Sequence, residues 1–239
     1  MIHSVIQLGR IVMRRIDSLS IALAITIVLS GLGTTVSASC WHSTRVTDPN
    51  QHVRTGARGY PYRARSEYIL KELDLKPGDV VVDIGAGDGW WAGQMAKFVG
   101  DNGVIHASEV TGEKVNRMKK SLANTPQIKP YLCKKDSTGL AENSCDLAFL
   151  SQTYHHLDPN SRVDYLRHLR RIVKPTGRLC VIEKYPLIAT QYKSHGTMLS
   201  RLAQQAEAAG WVPVRYELMT GTYHYIALFV PRDLFPPEP

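Results

Sequence analysis

A continuous apolar run followed at once by a glycine-rich turn is the feature that most restricts the fold of this chain. Residues 79–84 read DVVVDI, and residues 85–89 read GAGDG. A run of β-branched residues without alternation is typical of a strand that is buried on both faces. Glycines directly after it permit a tight turn and let a ligand approach backbone N–H groups. The pair of segments predicts a parallel sheet with a ligand site at the carboxyl end of this strand.

Predicted strands and helices alternate through most of the remaining sequence. After residues 79–84, further strands are predicted over residues 103–109, 128–134, 145–151, 177–183, 211–219 and 223–230. Helical patterns cover residues 65–75, a stretch ending at Phe98, and residues 111–123, 160–173 and 198–209. Only Thr220-Gly221-Thr222 joins the last two strands, which leaves no room for a crossover helix. We therefore expect an α/β, Rossmann-like, seven-stranded and mostly parallel sheet with helices on both faces and a C-terminal antiparallel hairpin.

The formal net charge of +8 is concentrated near the N-terminus. Residues 1–65 contain eight Arg and two Asp, whereas the remaining residues contain 21 basic and 19 acidic side chains. A nucleic-acid-binding domain usually carries its own basic face. We therefore expect no nucleic-acid partner for the nearly neutral body of the chain.

The first 40 residues have the pattern of a signal peptide or a membrane anchor. Arg10, Arg14 and Arg15 precede a run without Lys or Arg at residues 16–36, through which membrane association is expected. A start of translation at Met13 or later is the alternative. The remaining divisions are a linker at residues 41–63, a domain at residues 64–232 and a tail at residues 233–239. The expected location is therefore membrane-anchored or exported.

Acidic side chains surround the glycine-rich turn. Asp83 and Asp88 flank it, Glu109 ends the second predicted strand, and Asp136 follows the third. A nicotinamide cofactor would favour G-x-G-x-x-G, because its pyrophosphate lies on a helix N-terminus. Here the third glycine comes one residue early, and the acidic side chains repel a pyrophosphate. They suit a cationic ligand, such as the sulfonium and amino groups of S-adenosylmethionine (SAM).

At these positions the sequence resembles the class I SAM-dependent methyltransferases. The segments that carry the resemblance are VVDIGAGDG at residues 81–89, CDLAFLSQTYHHL at 145–157 and LRRIVKPTGRLCVIE at 169–183. Within the class, they look most like a group of small bacterial methyltransferases. The resemblance implies SAM as cofactor, bound by Asp83, Gly85, Ala86, Gly87, Gly89, Glu109, Asp136 and Ser151. Trp90 and Trp91 are a departure, because they are bulkier than the residues usual after this turn.

The resemblance also suggests which side chains face the methyl group. Tyr154, His155 and His156 follow the fourth predicted strand, and a histidine titrates near neutrality, as a general base must. The alternative is that these residues position the ligand or only pack. Further pocket candidates are Tyr60, Tyr62, Glu183, Tyr185 and His195. No metal site is expected, because the adjacent histidines point apart and the cysteines form no C-x-x-C.

The sequence thus predicts a SAM-dependent methyltransferase that acts on a small-molecule acceptor, because the chain has no obvious second domain to recognise a large one. Two alternatives stay open. One is a protein methyltransferase, and the other is a catalytically inactive, exported protein that keeps the SAM-binding fold. The second is favoured by the expected membrane-anchored or exported location, which conflicts with a cofactor that is made in the cytosol.

Overall fold

A computed structural model describes residues 61–186 and 196–235 of the chain. These residues all belong to the second of two units into which the chain divides, residues 45–239. The predicted signal peptide or anchor, Tyr60 and His195 lie outside the described residues. None of the helices in the described part of the chain is long and apolar enough to span a membrane.

Seven strands form one sheet in the order β3-β2-β1-β4-β5-β7-β6. Their bounds are β1 Val80–Ile84, β2 Val104–Glu109, β3 Ile128–Leu132, β4 Cys145–Ser151, β5 Val173–Lys184, β6 Trp211–Met219 and β7 His224–Pro231. The first five strands are parallel to one another, while β7 runs antiparallel to both β5 and β6. The predicted Rossmann-like sheet with a C-terminal antiparallel hairpin is therefore confirmed.

Helices cover both faces of the sheet and divide the core into two layers. The helices are α1 Ser66–Leu73, α2 Trp90–Val99, α3 Gly112–Ser121, α4 Arg162–Ile172 and α5 Leu199–Ala208. The first three contribute to a cluster on one face, and the last two to a cluster on the other. In α4 the buried residues Leu166 and Leu169 recur at helical spacing, so one stripe of this otherwise polar helix packs on the sheet.

Strand β5 begins earlier than the sequence pattern indicates. The pattern predicts a helix up to residue 173 and a strand from residue 177, but the chain becomes extended at Val173, directly after α4. Residues before a proline avoid helical conformations, which explains why the helix ends here. The pairing shifts from Cys145–Val173 to Leu147–Arg178, so the extra residues of β5 form an irregularity beside β4.

The parallel strands bring three segments to one edge of the sheet. Ile84, the last residue of β1, is in register with Ser108 of β2 and Leu150 of β4. The next residues along the chain, Gly85 and Ser151, therefore continue from the same edge, beside Glu109. Ligands of open α/β sheets bind at this carboxyl edge.

Candidate active site

A cavity of about 1090 Å³ opens at the carboxyl edge of β1, β2 and β4. Ligand sites in proteins typically have volumes of roughly 300–1,000 Å³, so it is large enough for a nucleoside-sized molecule. Seven of the eight expected cofactor-binding residues line it: Asp83, Gly85, Ala86, Gly87, Glu109, Asp136 and Ser151. Gly89 does not, and of the three candidate catalytic residues only His156 does.

The glycine-rich turn depends on close contacts with its neighbours. Gly85 has a φ of +67°, and a Cβ placed on it would lie 2.6 Å from Oγ1 of Thr153. Gly89 has a different reason to be glycine, because a Cβ there would lie 2.6 Å from Cδ1 of Leu122. The turn thus packs closely against the segment after β4 at Gly85 and against the end of α3 at Gly89.

Asp83 is a buried acid with an unsatisfied oxygen. Its side chain is 2% exposed, and its Oδ2 atom has no hydrogen-bond partner among the described residues. Burial raises the pKa of Asp83 to about 7, and the neighbouring negative charges of Glu109 and Asp88 act in the same direction. A buried acceptor without a partner is costly, so a cationic donor in the cavity would stabilise it.

Glu109 is held in place from three directions. Its Oε1 atom accepts hydrogen bonds from the backbone N–H of Gly87 at 2.9 Å and from Nζ of Lys114 at 3.0 Å. Its Oε2 atom accepts one from the N–H of Val110 at 3.2 Å. An ionised carboxylate accepts about four hydrogen bonds, so this buried side chain keeps capacity for a ligand hydroxyl. Asp136 is exposed at the rim of the same cavity.

A short 3₁₀ helix, Pro61–Arg65, closes one end of the cavity. The buried Tyr62 hydroxyl lies 3.0 Å from Oγ of Ser151. The Arg63 guanidinium donates to both oxygens of Asp88, at 3.2 and 3.1 Å, and lies 4.6 Å from the ring centre of Trp90. The sequence singled out Tyr62 but gave no signal for Arg63, since the arginine belongs to no motif.

The three candidate catalytic residues have different environments. Tyr154 is fully buried in the core beneath α4 and α5, where its hydroxyl donates to Oε1 of Gln205 at 2.7 Å. His156 is exposed and lines the cavity. The ring of His155 packs on the ring of His156, with 3.9 Å between their centres. His156 therefore lines the cavity directly. His155 does not line it and is linked to it through the contact with the ring of His156.

Glu183, at the end of β5, fixes the position of His155. The fully buried carboxylate of Glu183 accepts from the backbone N–H of His155 at 3.0 Å, and Nδ1 of the ring lies 2.9 Å from both of its oxygens. We assign the Nδ1 proton to this contact, because an ionised carboxylate only accepts. Gln152 and the N–H of Lys184 also donate to Glu183.

Tyr185 follows β5 and packs at the edge of the core beneath α4 and α5. Within residues 61–186 and 196–235, no three His, Cys, Asp or Glu side chains converge as metal ligands.

Residues 81–177 match the family model described as a methyltransferase domain. Among solved structures, a SAM-dependent methyltransferase from Aquifex aeolicus superposes with a TM-score of 0.63 at 25% identity, over 71% of this chain and 92% of that one. The segment that matches the family model includes the glycine-rich turn and the strands β2, β3 and β4.

Curated relatives match over shorter segments. The ribosomal RNA large subunit methyltransferase E of Chromohalobacter salexigens is 46% identical over 54 residues, which are 20% of this chain and 26% of the relative. A ubiquinone/menaquinone biosynthesis C-methyltransferase of Paraburkholderia phytofirmans is 28% identical over 126 residues, 51% of this chain and 50% of the relative. The chain thus spans half or less of the length of these relatives.

Proposed function

We propose that this chain, whose described body is a class I SAM-dependent methyltransferase domain, transfers the methyl group of SAM to a small-molecule acceptor. The observation that carries the proposal is the unpartnered oxygen of buried Asp83 in the wall of a large cavity. An ammonium or sulfonium group supplies the positive charge that this oxygen lacks. A pyrophosphate-bearing cofactor would instead bring negative charge to Asp83 and Glu109.

The residues present fit SAM along the length of the cavity. Asp83 would hold the positively charged amino-acid end, and Glu109 would accept from a ribose hydroxyl, with Asp136 at the adenine end. Bound SAM supplies a methyl group that is already activated for displacement. The protein then has to orient the acceptor and exclude water. Tyr62 and Arg63 would help to exclude water, since they cover the cavity next to Asp83 and Asp88.

On the acceptor side, we assign His156 as the residue that receives a proton from a hydroxyl or ammonium acceptor. It lines the cavity beyond the end of β4, as a general base requires. Glu183 and His155 would hold the turn that presents His156. Tyr154 has a structural role in this proposal, because its hydroxyl is committed to Gln205 in the core.

An RNA acceptor is the second candidate, and one observation favours it. Residues 112–136, at the β3 edge, contain seven basic and two acidic side chains, although the body as a whole is nearly neutral. All seven basic side chains are exposed, and four of them also line the cavity: Lys114, Arg117, Lys134 and Lys135. An exposed basic strip suits a phosphate backbone. The strip has no exposed aromatic side chain for stacking on bases, which leaves the small molecule as the first proposal.

Two measurements on the full chain test the proposal. Calorimetric titration should detect SAM binding, and Asp83→Ala should weaken it at pH 8, whereas Asp101→Ala, at an exposed turn outside the cavity, should not. Release of S-adenosylhomocysteine is then followed after adding either a low-molecular-weight metabolite fraction or purified ribosomal RNA. Release with the metabolites alone supports a small-molecule acceptor, and release with RNA alone supports the second candidate. Absence of SAM binding would overturn both.

A further inference from the structure

The indole N–H of Trp91 is a buried donor without an acceptor. Trp91 is 4% exposed, and its Nε1 atom has no hydrogen-bond partner among the described residues. Trp211, which is also deeply buried, donates its Nε1–H to the carbonyl oxygen of Leu166 at 3.0 Å. Buried polar groups are nearly always paired, so an orphaned one in a cavity wall points to a ligand.

Neighbouring rings fix the orientation of this indole. Its ring centre lies 5.4 Å from that of Phe149, which meets it edge-on, and 4.8 Å from that of Trp90. Tyr62 stacks on it with 6.2 Å between centres. Trp91 lines the cavity together with Tyr62, so the donor is held by packing rather than by a polar contact within the protein.

An unpaired acceptor belongs to the same cavity wall as this unpaired donor. The carboxylate of Asp83 accepts a hydrogen bond from the backbone N–H of Ala92, the residue after Trp91, while its Oδ2 atom is unpartnered. Asp83 therefore contacts the first turn of α2, the turn that carries Trp91. A ligand that satisfies both must present a cationic donor and an anionic or neutral acceptor. The α-ammonium and α-carboxylate of an amino acid are such a pair.

We propose that the Nε1–H of Trp91 donates a hydrogen bond to the α-carboxylate of SAM, while Asp83 binds its α-ammonium. This assignment rests on the proposed function, because it concerns the same cofactor. The assignment gives the bulky Trp91 a role in selecting a cofactor with an intact amino-acid end.

Decarboxylated SAM lacks the α-carboxylate, so comparing it with SAM distinguishes a hydrogen bond from Trp91 from mere packing of its ring. We expect Trp91→Phe, which keeps an aromatic ring but removes the N–H, to weaken SAM binding about tenfold or more, as for loss of a hydrogen bond to a charged group. Its affinity for decarboxylated SAM should equal that of the wild type. Equal losses for both ligands would show that Trp91 only packs, and no loss for either would also overturn the assignment.

Trp211→Phe is the matched control, because it removes a satisfied indole N–H in the other core layer. It should lower the melting temperature of the free protein and leave the affinity for SAM unchanged. Both substitutions replace a buried tryptophan with a smaller ring, so both should lower the melting temperature, but Trp91→Phe should lower it less because no internal hydrogen bond is lost. A Trp91→Phe protein that melts as low as Trp211→Phe, or lower, would contradict an orphaned N–H.

A measurement on the unmodified protein avoids any folding defect of the variants. The chain has four tryptophans, so four indole N–H signals are expected in a ¹H–¹⁵N spectrum. SAM should move the Trp91 signal downfield, as hydrogen bonding does, and decarboxylated SAM should not. The same shift with both ligands would overturn the assignment. Failure of the wild type to bind SAM at all would instead reject the proposed function.

Discussion

The buried carboxylate of Glu183 accepts hydrogen bonds from both the backbone N–H and the ring Nδ1 of His155. The two residues lie 28 positions apart in the sequence. Glu183 is near the end of β5 and His155 is in the turn after β4, so this contact joins the turn to the neighbouring strand. It fixes the His155 ring on which His156 packs. The position of His156 in the cavity wall thus depends on Glu183, which does not itself line the cavity.

Replacing Glu183 with glutamine should destabilise the protein strongly. The carboxylate accepts from Gln152, His155 and the N–H of Lys184, and an amide would turn an N–H₂ group towards some of these donors. We expect the free energy of unfolding to fall by about 2–4 kcal/mol, as when a buried charged partner is removed. Urea denaturation measures it. Glu207→Gln, at an exposed position of α5, should change it by less than about 0.5 kcal/mol. A loss below about 1 kcal/mol for Glu183→Gln would show that the contact contributes little.

Gly85→Ala should disrupt the turn that carries the cofactor site. The new Cβ would lie 2.6 Å from Oγ1 of Thr153, and the residue would also have to keep a φ of +67°. Gly87→Ala is the matched control, because its φ of +63° is similar but the nearest atom to its Cβ is 3.9 Å away. Thermal melts should show a loss of about 1–2 kcal/mol for Gly87→Ala and a clearly larger one for Gly85→Ala.

Combining Gly85→Ala with Thr153→Ala separates the two causes. Removing the threonine side chain relieves the collision and leaves only the backbone strain. The double variant should therefore approach the stability of Gly87→Ala. If Gly85→Ala and Gly87→Ala are equally stable, the contact with Thr153 is not the reason that residue 85 is a glycine.

The sheet and the cofactor half of the cavity follow from local sequence patterns. Val81 and Val82 lie in a continuous apolar run, and the glycine-rich turn follows it, so both the buried strand and its ligand edge are predictable. The contact between Glu183 and His155 is not, because it depends on the register of β4 against β5, which is irregular. The unpaired state of Trp91 is also invisible in the sequence, which indicates only the size of its side chain.

Ionisation of Asp83 should make the protein without ligand less stable as the pH rises. Most acidic side chains have the opposite effect. Its pKa is about 7 in the folded protein against an ordinary value of 3.8, so the folded state retains a proton that the unfolded state releases. Stability is therefore lost as the pH rises from about 4 to about 7. Asp83→Asn should stabilise the free protein at pH 8, by no more than about 4 kcal/mol, and have little effect at pH 4.5. Urea titrations at the two pH values measure the difference. If Asp83→Asn instead destabilises the protein at pH 8, the surroundings of Asp83 stabilise its ionised carboxylate, and this prediction is wrong.

The same ionisation should control the affinity for SAM. A cationic ligand favours the carboxylate form of Asp83, so binding below the pKa of about 7 must first remove its proton. We expect the affinity to rise about tenfold between pH 6 and pH 8, because the ionised fraction changes by about that factor. Calorimetry in buffers of different ionisation enthalpy should also detect protons released on binding near pH 7.

Asp83→Asn supplies the control for this pH dependence. The variant keeps an acceptor for the N–H of Ala92 but has no charge at this position, so it should bind SAM weakly and with a nearly flat profile over the same range. A flat profile in the wild type would mean that Asp83 is already ionised in the free protein. An undiminished rise in the variant would assign the titration to a different group in the cavity.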